Sequence, residues 1–344
     1  MSVFGHQDFD DHERIVFVED GKSGLRAIIA VHNTSRGPSL GGCRLRRYES
    51  EHSALADALR LSRCMTYKAA VADLQLGGGK SVILDSGKPF DRRALFEAMA
   101  IAVDRLGGAY IVSNDLGTTV QDVLIMRECT EHARGLPAED GKQHPATAYG
   151  VYQGLKATAK FINGTASLEG VHIAIQGVGA VGEQIARYAL AAGAQLTIAD
   201  ISAEQVSGWA ADDRVRVVSP ADILGATCDI LAPCAIGGVL NDDSIPAIQA
   251  RAVCGAANNQ LLSRRHGDML YEHGIVYAPD YVVNAGGLIE VAKEGAWASS
   301  ENILQACETI YHTLTEIFAQ SRSKGLPPHI VADRLAEQRL GRQH

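Results

Sequence analysis

The chain has 344 residues, 46% of them hydrophobic and 21% charged, and its 32 Lys plus Arg against 40 Asp plus Glu leave a formal charge of -8. At roughly 100–200 residues per domain, that length implies about two folded domains, and an ordinary apolar and charged content excludes an intrinsically disordered chain. With no basic run, no 18-residue apolar stretch and no basic-flanked leader, the sequence argues against a nucleic-acid partner, a membrane span and export, so a cytoplasmic location is expected.

Leu55, Ala58, Leu59, Ser62, Met65, Tyr67 and Val71 recur without turn-forming punctuation, which predicts a helix over 51–72 that carries Lys68. Gly77-Gly-Gly-Lys80 then punctuates the entry to an apolar strand over 81–84. An Ala- and Leu-rich helix is expected near 92–106 and a strand near 109–112, with Asp115 just past its end. The stretch 131–145 holds Gly135, Pro137, Gly141 and Pro145 among polar residues and reads as a linker between a first domain over 1–135 and a second over 146–311. A helix over 147–161, a strand over 171–176, a helix over 180–190 and a strand over 196–200 follow. Further strands are expected at 215–218, 230–232 and 252–253, alternating with helices, which is the pattern of a doubly wound parallel sheet and an α/β fold class. The residues from 300 to 338 read as helices, of which 312–344 are expected to pack back on the first domain. Seven cysteines without a CxxC pair suit a reducing compartment and read as small buried apolar residues, and twelve histidines without HExxH or zinc spacing give no metal site.

Gly177-Val178-Gly179-Ala180-Val181-Gly182 matches G-x-G-x-x-G between a predicted strand and a predicted helix. The first glycine makes the tight turn, the second admits a pyrophosphate and the third lets helix and strand pack closely, while the helix N-terminus stabilises the anion. Asp200, at the end of the next strand, is placed to accept both adenosine ribose hydroxyls and to repel a 2′-phosphate, which favours NAD over NADP.

Leu76-Gly-Gly-Gly-Lys80-Ser81 is not a phosphate-binding P-loop, because the glycine required at position 74 is Leu74. Three glycines before a lysine leave room for a small substrate at the amine, and a lysine among apolar neighbours near a second cation, here Lys68, can act as a base near neutral pH. The alternative is a pair of solvated surface lysines. Asp115 either points a carboxylate into a cleft or forms a turn that caps the helix starting near Thr118.

Seven motifs in order, Gly37-Pro-Ser-Leu-Gly-Gly-Cys-Arg44, Met65-Thr-Tyr-Lys-Ala69, Leu76-Gly-Gly-Gly-Lys80, Ser113-Asn-Asp-Leu-Gly-Thr-Thr119, Thr147-Ala-Tyr-Gly-Val151, Gly255-Ala-Ala-Asn-Asn-Gln260 and Ala278-Pro-Asp-Tyr-Val-Val-Asn-Ala-Gly-Gly287, resemble the glutamate/leucine/phenylalanine/valine dehydrogenase family. The chain is most similar to its leucine, valine and phenylalanine branch. The resemblance implies an N-terminal substrate and oligomerisation domain, a C-terminal Rossmann domain, a homo-oligomer, and NAD-dependent, reversible oxidative deamination of an L-amino acid to a 2-oxo acid and ammonia. It assigns Lys68 to the α-carboxylate, Lys80 to activation of the water that attacks the imino acid, and Asp115 to proton relay at the substrate nitrogen. Gly42 and Asn259 are implied as further substrate contacts. Thr147, Cys234, Ala235, Asn258 and Asn284 join the glycine fingerprint and Asp200 as implied cofactor contacts.

The side chain of the substrate is expected to meet Leu40, Gly41, Ser113, Leu288 and Val291. Glutamate-reading members carry lysine in place of Leu40 and serine in place of Val291, so burial of a second carboxylate is disfavoured and leucine, valine or isoleucine is expected. An aromatic substrate of the same family is the alternative, and a catalytically silent NAD-binding protein is disfavoured because Lys80 and Asp115 are both retained. The chain departs from the family at Cys43, where threonine is commoner, at Glu290 and Lys293, and in a short 131–145 loop carrying His144.

Overall fold

The computed structural model describes residues 3–136, 146–209, 211–294 and 299–342, so His144 and most of the expected linker lie outside the described residues. The chain divides into two compact units, 1–144 with 290–298 and 336–344, and 145–289 with 299–335.

The first unit contains β1 (Arg14–Asp20), β2 (Leu25–Asn33), β3 (Ser39–Arg46), α1 (Glu51–Val71), β4 (Gly77–Leu84), α2 (Arg92–Asp104), β5 (Tyr110–Asn114) and α3 (Val120–Arg127). Its sheet runs β1-β2-β4-β3-β5, with β2 antiparallel to β1 and β4, and β3 parallel to both β4 and β5. Side chains alternate across a strand, and β2 uses both faces. Leu25, Ala27, Ile29 and Val31 pack with Phe96, Met99 and Val103 of α2, while Ile28 and Ala30 pack with Ala54, Ala58 and Leu59 of α1. This burial on both sides explains why Leu25–Asn33 is a nearly continuous apolar run, and the sequence reading placed no strand before residue 51.

The glycines at 77–79 belong to β4 rather than to a turn before it. A Cβ at Gly78 would collide with the backbone N of Thr66 on α1, and one at Gly79 would lie 2.6 Å from the Tyr110 ring. The bare backbone therefore admits the protein's own helix and ring, and the expectation that these three glycines leave room for substrate is corrected.

The second unit contains α4 (Ala146–Asn163), β6 (His172–Gln176), α5 (Ala180–Ala191), β7 (Gln195–Ala199), α6 (Ala203–Ser207), β8 (Val215–Val217), β9 (Ile230–Pro233), β10 (Ala252–Val253), α7 (Arg265–Glu272), β11 (Val276–Tyr277), α8 (Asp280–Val283), α9 (Gly286–Ala292), α10 (Ser300–Cys307), α11 (Thr309–Lys324) and α12 (Pro328–Arg339). Its six strands are all parallel in the order β11-β10-β9-β6-β7-β8, a doubly wound sheet whose order reverses between β6 and β9. The last three residues of α9 and the last four of α12 fall in the first unit by compactness.

The C-terminal tail differs from expectation, since only 336–344 joins the first unit. Ile310, Leu314, Ile317 and Phe318 recur at helical spacing on α11, and the Phe318 ring sits 4.8 Å from that of Phe161 on α4, so this helix buries its apolar stripe in the second unit. The final segment is held to the first unit by Arg339, which donates to the carbonyls of Ala70 and Val71 at the end of α1. Among the described residues no helix is long and apolar enough to cross a membrane. All seven cysteines are free, and Cys129 is exposed while Cys64 and Cys234 are half-buried, unlike the buried positions expected for every cysteine.

Candidate active site

Parallel pairing of β3 with β4 and β5 sets Leu40 opposite Gly78 and Ile111, and Gly42 opposite Ser113. Lys80 lies two residues beyond Gly78 on β4 and so shares the face that packs on α1. The residue is deeply buried, at 5% exposure, which excludes the surface-lysine alternative for it. Nζ donates to Asp115 Oδ2 at 2.8 Å. A Cβ at Gly42 would stand 2.6 Å from Asp115 Cβ and 3.3 Å from Lys80 Nζ, so Gly42 is the glycine whose missing side chain lets lysine and carboxylate meet. Burial pushes the Lys80 pKa down, the pull of Asp115 opposes this, and the charge of Arg44 adds to the lowering. Burial acts to raise the Asp115 pKa, and Lys80 and Arg44 override it to hold the carboxyl below its usual range.

Asp115 is not a helix cap. Thr119 caps α3 in a reciprocal box with Asp122, while the Asp115 N–H donates to Thr118 Oγ1 at 2.8 Å and that hydroxyl donates to the Cys43 carbonyl. The turn thereby pins the Asp115 backbone to β3 and frees its carboxylate. Lys68 is half-buried in the last turn of α1, where a cation is also favoured by the helix dipole. The cation that shares a carboxylate with Lys80 is Arg44, whose Nε donates to the same Asp115 Oδ2 at 2.8 Å. In the sequence Arg44 is the last residue of a family motif and carries no role of its own. A signal was present: an arginine two residues beyond Gly42, flanked by Cys43 and Leu45, and Asp57 on the apolar face of the predicted helix.

Leu40 and Ser113 are buried, Gly41 meets the Gly79 carbonyl where a Cβ would stand, and Val291 is half-buried. Leu288, three residues before Val291 on α9, is buried in the second unit. Glu290 is half-buried and Lys293 exposed.

In the second unit the three fingerprint glycines meet different surroundings. Gly177 has φ +91°, and a Cβ there would lie 2.8 Å from the Cβ of Ala235, whereas one at Gly182 would strike the Gly177 carbonyl. Gly179, at the N-cap of α5, has nothing within 4 Å of its would-be Cβ and no side chain capping the helix among the described residues. Open space in front of uncapped N–H groups fits a pyrophosphate. Ala180 and Val181 open the helix, and Val178 is buried beneath the loop.

The two Asp200 oxygens already accept from the backbone, Oδ2 from Val178 N–H and Oδ1 from Ser202 N–H, both at 2.9 Å. A carboxylate oxygen has a second lone pair, so this anchoring orients the group and leaves acceptor capacity for ribose hydroxyls. The adjacent Ile201 is 95% exposed.

Cys234 donates its N–H to the Gln176 carbonyl at the β6–β9 reversal, followed by exposed Ala235. Asn284 donates through Nδ2 to Ala256 O and Asn258 Oδ1, while among the described residues its buried Oδ1 has no partner. That orphaned acceptor fits a ligand carrying a hydroxyl or amide donor. Thr147 Oγ1 would stand 2.9 Å from a Cβ at Gly287, and Asn259 takes a left-handed φ of 51° beside Asn258. Among the described residues no group of three His, Cys, Asp or Glu side chains could hold a metal ion.

Residues 12–132 match a family model described as Glu/Leu/Phe/Val dehydrogenase, dimerisation domain, and residues 197–326 match one described as Glutamate/Leucine/Phenylalanine/Valine dehydrogenase. Leucine dehydrogenase of Bacillus subtilis (strain 168) is 46% identical over 99% of this chain and 95% of its own length. Phenylalanine dehydrogenase of Caldalkalibacillus thermarum is 41% identical over 99% and 94%. Among solved structures, the L-tryptophan dehydrogenase from Nostoc punctiforme superposes with a TM-score of 0.86 at 38% identity, covering 96% of each chain.

Proposed function

The chain belongs to the glutamate/leucine/phenylalanine/valine dehydrogenase family and is an amino-acid dehydrogenase, and from that premise we propose NAD-dependent, reversible oxidative deamination of an apolar L-amino acid, with leucine, valine and isoleucine favoured. The products are the 2-oxo acid and ammonia. The observation that carries the reading is the pairing of buried Lys80 with half-buried Asp115, 2.8 Å apart, with glycine at position 42 as the residue type that fits beside them.

Lys68, a compact ammonium, binds the substrate α-carboxylate. Lys80, whose neutral form is favoured by burial, takes the proton from the water that attacks the imino acid. Asp115 moves the proton at the substrate nitrogen. Among the described residues both donors to its carboxylate bind Oδ2, which leaves Oδ1 for that exchange. NAD, when bound, supplies the acceptor for the hydride on the substrate Cα. Gly177 to Gly182 and the α5 N-terminus would hold its pyrophosphate, Asp200 its adenosine ribose, and Thr147, Cys234, Ala235, Asn258 and Asn284 its nicotinamide end. Asp200 disfavours a 2′-phosphate, since the neighbouring Ile201 and Ser202 provide no cation.

Gly42 and Asn259 are further proposed substrate contacts. Leu40 and Val291 support an aliphatic over a second-carboxylate substrate, because neither can pair a buried charge. Leu40, Gly41, Ser113 and Val291 are proposed to meet the substrate side chain, with Leu288 limiting its length. Self-association is assigned to the first unit, where the match to a dimerisation domain lies, and a reducing cytoplasm suits seven free thiols. A screen of the twenty amino acids with NAD and NADP at alkaline pH, followed by the favoured 2-oxo acid with ammonia, tests the reading. Highest kcat/KM on a branched aliphatic with NAD is expected. Preference for phenylalanine, tryptophan or glutamate, or equal use of NADP, would overturn the corresponding part.

A further inference from the structure

Arg44 lies on β3 with its guanidinium between two carboxylates. Nε donates to Asp115 Oδ2 at 2.8 Å and one terminal nitrogen donates to Asp57 Oδ2 at 2.9 Å. Asp57 is buried on α1 and also accepts from the Tyr48 hydroxyl at 2.8 Å and from Arg60 at 3.0 Å, so the guanidinium is anchored from behind by a carboxylate that is itself held in place. With a side chain 17% exposed, Arg44 is not a solvated surface cation. A lysine ammonium is a point charge and cannot define the plane of a carboxylate it touches through one oxygen, whereas the rigid guanidinium fork can hold two carboxylates at a fixed separation. The turn that ties Asp115 N–H and the Cys43 carbonyl to Thr118 Oγ1 brings the Asp115 backbone to the residue preceding Arg44, so strand, turn and fork act on the same carboxylate.

We propose that Arg44, anchored by Asp57, is a positioning residue for the deamination: it holds Asp115 Oδ2 against Lys80 Nζ and turns Oδ1 to the substrate nitrogen. The inference rests on the reading of Lys80 and Asp115 as the proton-transfer pair. It also replaces Lys68 by Arg44 as the cation that acts on Lys80. Charged groups facing Lys80 are Asp115 from the turn after β5 and Arg44 from β3, with the Cys43 thiol beside them. Removing the Arg44 charge lets Lys80 hold its proton to higher pH, and because the base must be neutral, the acidic limb of the rate profile moves to more alkaline pH.

The test uses the full-chain enzyme and its Arg44→Met, Arg44→Lys and Asp57→Asn variants, with Lys80→Ala as companion. It measures kcat and KM for leucine between about pH 7 and 11, together with NADH affinity and the thermal midpoint. Arg44→Met should lose at least about tenfold in kcat, keep its NADH affinity and shift the acidic limb upward by roughly one unit. Arg44→Lys should keep the limb near that of the parent, since the charge remains, while losing part of kcat because an ammonium cannot span both carboxylates. Asp57→Asn should fall between them. Parental kcat and limb in folded Arg44→Met, or a kcat loss that follows the thermal midpoint with no limb shift, overturn the proposal. If Arg44→Met does not fold, unchanged kcat and limb in both Arg44→Lys and Asp57→Asn do the same. An inactive Lys80→Ala beside a parental Arg44→Met overturns the role of Arg44 alone, whereas an active Lys80→Ala overturns the proton-transfer reading and this inference with it.

Discussion

Two glycine clusters stand next to the chemistry of this protein, and they use the missing side chain in opposite ways. In β4, would-be Cβ atoms at Gly78 and Gly79 meet Thr66 of α1 and the Tyr110 ring, so these glycines are filled by the protein itself and seat the strand that carries Lys80. In the fingerprint, Gly177 and Gly182 are likewise filled, but Gly179 faces open space at an uncapped helix N-terminus. A glycine run before a functional residue therefore signals close approach without saying of what. Only the position of each Cβ vector separates packing from ligand access.

The largest test of this contrast is Lys80→Ala. Loss of the base should lower kcat by about a hundredfold to ten-thousandfold while NADH affinity stays at its parental value, because the dinucleotide loop belongs wholly to the other unit. More than about a tenth of parental activity would remove Lys80 from the chemistry.

The glycines themselves give the next effect. Gly78→Ala should destabilise the fold by about 2 kcal/mol or more, since its methyl group meets helix backbone that cannot give way, and NADH affinity in the folded fraction should not change. Gly179→Ala should stay within about 0.5 kcal/mol in stability yet weaken NADH binding roughly tenfold. Denaturant midpoints and NADH titration read both variants. Equal stability of the two, or parental NADH affinity in Gly179→Ala, would break the distinction.

The smallest expected effect concerns Leu288. Truncation to alanine should raise the ratio of phenylalanine to leucine kcat/KM by about tenfold, as expected for a few methylenes in an apolar site. An unchanged ratio would mean that this buried leucine packs the second unit only.

Much of the fold was legible because local signals agreed. The helix over 51–72 has an unbroken apolar period, the strands at 196–200 and 230–232 are short apolar runs, and the glycine fingerprint falls between a strand and a helix, so the doubly wound parallel sheet followed from their alternation. The strands of residues 14–46 were not legible. A two-sided buried strand such as β2 has no polar alternation, and its antiparallel partners are chosen by the sheet. The tail was misplaced for a related reason: the apolar stripe of α11 declares that the helix is covered, and only packing against Phe161 of α4 declares by what.

For the candidate site, the sequence by itself determined the residue types: Lys80 after glycines, Asp115 after a strand, and an acid beyond a dinucleotide loop. The tertiary structure decided their partners. It placed Arg44 instead of Lys68 on the carboxylate shared with Lys80, gave the α3 cap to Thr119 and so freed Asp115, and tied Asp200 to the backbone of the glycine loop through the Val178 N–H. The reason is physical. A capping motif or a glycine turn is a local interaction, readable from spacing a few residues long. An ion pair between β3, β4 and the turn after β5 depends on strand register, which sequence spacing does not carry across 35 to 71 residues.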